Sequence, residues 1–423
     1  MKKRQSIKHI AAAVMLLSSL GLQQAWAQTT LRVFSGGQNQ RPDLMQELFK
    51  KYEAANPGVK VQIEVGGATS ELQRQYLTTV LSAKDSAIDI YMMDIVNPPQ
   101  YFGSGWAEPL NAYVGEPAKA LGAYLPVYSV ANVVDGKVAG KPAFADAMFM
   151  YYRKDLLERH KIALPKTWDE LAEASKKVMA AEKDPNLQGL SIQGAPIEGA
   201  VCTFLLPYWS QGREISDASG ALTMDKAAAV KGMKMWLNLV DQGVMKKNIA
   251  EVKTGDTVNE FKAGQVPFGI NWGFASDVFE TAPDTKVKGK VGVMPLPAMA
   301  GGKPATCVGG WQWAVSSFSK NKPAAVKLIE FMSSPESSKF LAIEGSLMPV
   351  YQSVYTDPAV VKAVPWFKDA APVVITGKAR PLSKNYAQVS DVIRTTTSAI
   401  LARTVTPEEG VDQIESRLRR VLR

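Results

Sequence analysis

The residues of this chain best suited to hold a small molecule are scattered along it. They are Asp94 in YMMDIVNPPQ, Phe144 and Asp146 in KPAFADAM, Trp272 in INWGF, Gly309, Gly310 and Trp311 in ATCVGGWQW, and Arg380 in KARPLSKNY. Their chemistry is that of grip. Carboxylates accept paired hydrogen bonds from vicinal hydroxyls, an arginine donates several in a fixed fork, and aromatic faces cover the apolar C–H face of a sugar ring. Each hydrogen bond to a charged group contributes roughly 1.5–3 kcal/mol, so three or four would fix affinity and orientation together. Taken singly, each residue has a plainer use: core packing for a tryptophan, helix capping for an aspartate that follows a strand, a surface ion pair for an arginine.

Catalytic chemistry is poorly supplied. Of the two histidines, His9 lies in the basic N-terminal stretch and His160 stands alone among charges in KDLLERHKIALP, expected at an exposed helix end. A serine or cysteine triad needs a positioned histidine base, and zinc needs further ligands at close spacing. An Asp/Glu pair such as Asp94 with Asp146 would suit a secreted glycoside hydrolase as acid and nucleophile. No catalytic residue, metal or cofactor is expected. Cys202 and Cys307 are the only cysteines. They read equally as a disulfide or as two buried thiols; bonded, they would constrain the unfolded chain by about 4–5 kcal/mol on the loop-entropy model.

The elements that must carry these residues alternate. Leu31–Phe34 reads as a strand, Asp43–Tyr52 as an amphipathic helix, Val59–Val65 as a strand after an Asn-Pro-Gly turn, Ser70–Leu81 as a helix, and Ala87–Met93 as a buried strand. This βαβαβ order predicts an α/β lobe. A Gly/Pro-rich stretch, 103–142, precedes a second pattern beginning near Asp146. That pattern has a strand at Ala147–Tyr152, a helix capped by Thr167 with Glu170, a helix over Asp225–Val240 and a strand over Val266–Asn271. Strands at Lys288–Leu296 and Gly309–Ser316 and a largely helical tail follow. Ile414, Leu418 and Val421/Leu422 have the spacing of a packed helix face. Ligands of open α/β sheets bind beyond the carboxyl ends of the strands, which is where several of the opening residues fall.

A basic start, an apolar core from Ile10 to Leu22, and Ala25-Trp26-Ala27 before Gln28 predict a cleaved export signal over residues 1–27. The core is shorter than the ~20 residues of a membrane-spanning helix. No cysteine follows it, so no lipid anchor is expected and the mature protein should be free in an oxidising compartment such as a periplasm. Of the formal charge of +9, Lys2, Lys3, Arg4 and Lys8 leave with the signal. What remains is mildly basic without a basic stripe interleaved with aromatics, so no nucleic-acid role is expected. The chain exceeds the roughly 250–300 residues at which single cores stop growing, and two lobes are expected.

The segments DIYMMDIVNPPQYFGSGWAEPL, GKPAFADAMFMYYRKDLLERHKIALPKTWDEL, GINWGF, GGKPATCVGGWQWAVSSFSKNKPAAVKLIEFMSSPE and ARPLSKNYAQVSDVI occur in this order. As a set they resemble the extracellular solute-binding proteins of the sugar-binding family that serves ATP-driven (ABC) importers, most of all the trehalose- and maltose-binding members. The resemblance runs from about Leu31 to the C-terminus. It implies the periplasmic-binding-protein type II fold, two α/β lobes with a crossed hinge that close on a ligand in the cleft between them. The lobes are expected at 28–145 plus 274–316 and at 146–273 plus 317–423. By the same resemblance, Asp94 and Asp146 match sugar-bonding aspartates, Trp272 and Trp311 stacking tryptophans, and Arg380 a sugar-bonding arginine. Gly309 and Gly310 match glycines that let backbone approach the ligand, and Phe144 falls where an aromatic lines the cleft. Glu198, in APIEGAVC, matches an acidic position, and Arg74, in ELQRQY, is a further candidate. An acid that family members carry soon after the first strand is replaced here by Gln38 or Gln40. The implied function is non-enzymatic: a monomer that captures a disaccharide of the trehalose, maltose or sucrose type. It would deliver the sugar to the permease's transmembrane subunits, driven by a cytoplasmic ATPase, with a chemoreceptor as a further candidate partner. The same fold with a polyamine or amino acid as cargo is the alternative; the acids favour it, while Arg380 and the two tryptophans favour a neutral sugar.

Overall fold

The opening βαβαβ order is present as β1 (Thr29–Ser35), α1 (Pro42–Ala55), β2 (Val59–Val65), α2 (Ser70–Ser82) and β3 (Ile90–Asp94) in a computed structural model that describes residues 28–67, 69–217 and 220–422. The expected export signal lies outside the described residues. β1 pairs in parallel with both β2 and β3. Parallel neighbours need a long crossover, which α1 and α2 supply. α1 buries Leu44, Met45, Leu48, Phe49 and Tyr52, one face at helical spacing, and β3 is buried over its whole length. The Gly/Pro-rich stretch is broken into short helices; Pro117–Leu121 and Pro126–Ala131 each open on a proline, which gives up only an N–H that a first turn leaves unpaired anyway.

β4 (Lys141–Arg153) is the longest strand and serves two sets of neighbours. Its first half pairs antiparallel with β8 (Cys307–Val315). Its second half pairs with β6 (Phe268–Trp272) and β7 (Val291–Met294). With β5 (Leu190–Ser191) beside β6, the sheet order is β2-β1-β3-β8-β4-β6-β5; β7 adds to β4, and β9 (Lys378–Ala379) adds to β8. Within the segment 274–316, β7 joins the far half of β4, while β8 lies between β3 and β4. α7 (Lys322–Met332) and α8 (Pro335–Gly345), expected in the second lobe, pack on α1.

The remaining helices follow their apolar faces. α3 (Trp168–Glu182) starts at Thr167, whose hydroxyl accepts the Glu170 N–H as expected; the Glu170 carboxylate turns back to the Lys166 N–H. α4 (Glu198–Ser210) is apolar on every side and buried throughout. It packs on α5 (Lys226–Asp241) and α9 (Tyr386–Leu401). α6 (Thr254–Lys262) covers β6. α10 (Pro407–Val421) lays Ile414 and Leu418 on that layer from a Thr406–Glu409 capping box. Cys202 of α4 and Cys307 of β8 form a disulfide. His160 does end a helix, Lys154–Arg159, but is half-buried against Glu182 rather than exposed. No helix among the described residues is long and apolar enough to cross a membrane.

Candidate ligand-binding site

Strand ends and helix starts meet at one cavity of about 550 Å³. Asp94 is the last residue of β3, Trp272 the last of β6, and Arg380 the first after β9. Facing them are the N-termini of three helices: Thr69, Ser70 and Glu71 at α2, Ile197, Glu198 and Gly199 at α4, and Lys253 to Asp256 at α6. Helix starts carry unpaired N–H groups and partial positive charge, so each offsets the acids placed beside it.

β8 forms the wall between the two halves. Trp311 pairs with Asp94 on one side and Phe144 on the other, and Gly309 lies opposite Asp146. The two glycines are needed for different reasons. A Cβ on Gly309 would stand 2.7 Å from the Trp272 ring, so its absence lets the tryptophan lie against the strand. Gly310 has φ +114°, where L-residues are strained, and a Cβ there would stand 2.7 Å from the Phe144 carbonyl oxygen.

At one end of the cavity the charges are paired. Arg380, 1% exposed, donates from Nη2 to Asp94 Oδ1 at 2.6 Å and from Nη1 to Glu198 Oε1 at 2.8 Å. Ser70 Oγ donates to the other oxygen of Asp94 at 2.9 Å. Glu198 also accepts from the Tyr386 hydroxyl and, at 2.7 Å, from Ser390 Oγ, with Arg74 Nη1 at 3.7 Å. Burial alone would push the Glu198 carboxyl up; Arg380 and Arg74, helped by the two hydroxyls, outweigh it and hold it below its ordinary value. Burial likewise works against the Arg380 charge, and the adjoining carboxylates outweigh it. The Trp272 ring lies 5.9 Å from the guanidinium carbon, within cation–π reach.

Asp146 stands at the other end, with no cation bonded to it among the described residues. Its Oδ1 accepts the Gly273 N–H at 2.7 Å and the Ala147 N–H at 2.8 Å. Removal from bulk water pushes the carboxyl up to about 7, against the pull of those two hydrogen bonds.

The cavity wall thus gathers Asp94, Asp146, Glu198, Trp272, Gly309, Gly310, Trp311 and Arg380. Three candidates fall elsewhere. Gln38 is exposed on a single 3₁₀ turn, Gln38–Gln40, and Gln40 takes the wall position. The Gln40 side-chain Oε1 accepts the Gly36 N–H, and its Nε2 donates to Gln73 Oε1 at 3.0 Å. Phe144 is 3% exposed in the core beside Trp311, and Arg74 sits behind Glu198, where its charge acts through that carboxylate. Ser70, Glu71, Gln73, Lys253 and Asp256 are wall residues that the strand-end reasoning passed over. A threonine helix-start signal, Thr69, precedes Ser70, Glu71 and Gln73 and could have located them, whereas Lys253 is itself the N-cap of α6 and follows no such signal. Chemically, the wall offers carboxylate acceptors, a buried donor fork, amides and two partly exposed indole faces. Among the described residues no group of three or more His, Cys, Asp or Glu converges to hold a metal ion.

The model of the bacterial extracellular solute-binding proteins matches residues 36–339. A probable ABC transporter-binding protein of Deinococcus radiodurans is 33% identical over 352 residues, 81% of each chain. Among solved structures, maltose-bound MalE3 of T. maritima superposes with a TM-score of 0.85 at 31% identity, covering 92% of this chain and 99% of that one. An ABC transporter solute-binding protein from Thermotoga lettingae, bound with α-D-tagatose, superposes with a TM-score of 0.83 over 93% of this chain and all of that one; at 23% identity it speaks for the fold alone. The fold is the periplasmic-binding-protein type II arrangement, and the chain belongs to the bacterial extracellular solute-binding proteins.

Proposed function

We propose that the protein is the periplasmic substrate-binding component of an ABC importer, a monomer that captures a disaccharide of the maltose, trehalose or sucrose type and hands it to the permease. The observation that carries this reading is the wall itself. Two tryptophans, Trp272 and Trp311, border one cavity with Asp94, Asp146, Glu198 and the Arg380 fork. The cavity, about 550 Å³, lies within the range of small-molecule sites, roughly 300–1,000 Å³. The likeness to maltose-bound MalE3 supports the same cargo class.

The surplus of acids on the wall, with Glu71 and Asp256 added, favours a second reading: a polyamine or other cationic solute. Calorimetric titration with maltose, trehalose, sucrose, glucose, maltotriose and spermidine separates the two. Saturable binding of a disaccharide is the expected result; binding of spermidine with silence from every sugar overturns the sugar reading. Free glucose released from a bound disaccharide would overturn the pure-binding reading.

A further inference from the structure

α4 begins without a cap of its own. Its N-cap residue is Ile197, whose side chain has nothing to offer the unpaired N–H groups of the first turn, and no side-chain cap is present there. The missing acceptor comes from far away in the chain: the Glu71 carboxylate accepts the Glu198 N–H. Glu71 lies in the first turn of α2, whose packing is with the β1–β3 half of the molecule; Tyr76 of α2 stacks on Phe34 of β1 at 4.7 Å, and α2 contacts β3. The α4 tip is fixed to the other side. Its Glu198 carboxylate is held by Tyr386 and Ser390 of α9, and Arg394 of α9 donates to the carbonyl of Pro196 just before it. Glu71 and the α4 tip both border the cavity.

We propose that Glu71 is a closure latch: a carboxylate on one side of the cleft that supplies the helix cap α4 lacks on the other, and so favours the closed arrangement before any solute arrives. Opening the cleft strips the cap from α4 and returns its first N–H groups to water. The negative charge at a helix start makes the contact stronger than a neutral cap. Arg380 bridges Asp94 and Glu198 in the same region but is buried and charge-paired, so it holds the site together. Glu71 is half-buried at the cavity edge and can be removed without stranding a charge. This inference deepens the solute-capture reading, and its unliganded arm stands apart from that reading.

The test compares wild type, Glu71→Ala and Glu71→Gln by small-angle X-ray scattering of the unliganded proteins, with maltose and trehalose titrations of each. Glu71→Ala is expected to have the larger radius of gyration without solute. Every sugar that binds wild type should bind it more weakly by one common factor, roughly 2- to 30-fold, the range of a lost N-cap. Glu71→Gln keeps a carbonyl acceptor and should fall between the two. Unliganded scattering of Glu71→Ala identical to wild type overturns the latch. So does an affinity loss that differs from sugar to sugar, which would make Glu71 a solute contact. If no sugar binds any of the three, the sugar reading fails while the scattering comparison still decides the latch.

Discussion

The two ends of the cavity hold carboxylates governed by opposite physics. At the Arg380 end, Asp94 and Glu198 are bonded to a buried guanidinium, and Glu198 is held below its ordinary value. At the other end, Asp146 accepts from backbone N–H groups, and burial pushes it up to about 7. The residue types are nearly the same; the partner decides the charge. The linkage to stability therefore runs in opposite directions. Glu198 contributes stability that is present above its unfolded value of 4.5 and is lost as pH falls through its lowered native value. Asp146 contributes stability that is complete below its unfolded value of 3.8 and is lost as pH rises through about 7.

The strongest way to break this contrast is Arg380→Met, which strands two buried carboxylates. It should cost about 3–5 kcal/mol in urea unfolding, with Arg380→Met/Glu198→Gln recovering part of the loss. A loss no larger than that of a surface ion pair would mean that the paired end is not paired in solution. Gly309→Ala acts between the ends. Its Cβ meets the Trp272 ring at 2.7 Å, so about 1–3 kcal/mol of overpacking is expected, with Trp272 moved off Arg380. A shift in tryptophan fluorescence together with weaker solute binding would show that displacement; unchanged spectra would show that the ring accommodates the methyl group. The smallest effect belongs to Asp146→Asn. Thermal melts between pH 4 and 8 should show a flatter loss of stability with rising pH than wild type, and parallel curves would place the Asp146 carboxyl in the ordinary range.

How much of this was legible depends on where each residue gets its position. Asp94, Trp272 and Trp311 end or interrupt strands with a strong apolar pattern, so the elements that hold them could be read locally. Arg380 was legible as a donor but not in its partners, because nothing in KARPLSKNY announces two carboxylates from β3 and α4. Glu71, Tyr386 and Ser390 were missed for the same reason: an acid in a first turn and two polar residues on a buried helix look local, and their partners are more than a hundred residues away. Gln38 and Gln40 differ by two-thirds of a turn of 3₁₀ helix, followed by Arg41 at φ 50°, and pattern reading does not resolve that interval. The two sets of neighbours of β4 were not legible either: a strand long enough to serve both gives one uniform apolar signal.

The disulfide between α4 and β8 also determines how the molecule comes apart. Cys202 and Cys307 enclose α5, α6, β6 and β7 within one covalent ring. A single protease cut anywhere in that ring yields no separate pieces until a thiol is added, so a nicked molecule still travels as one body.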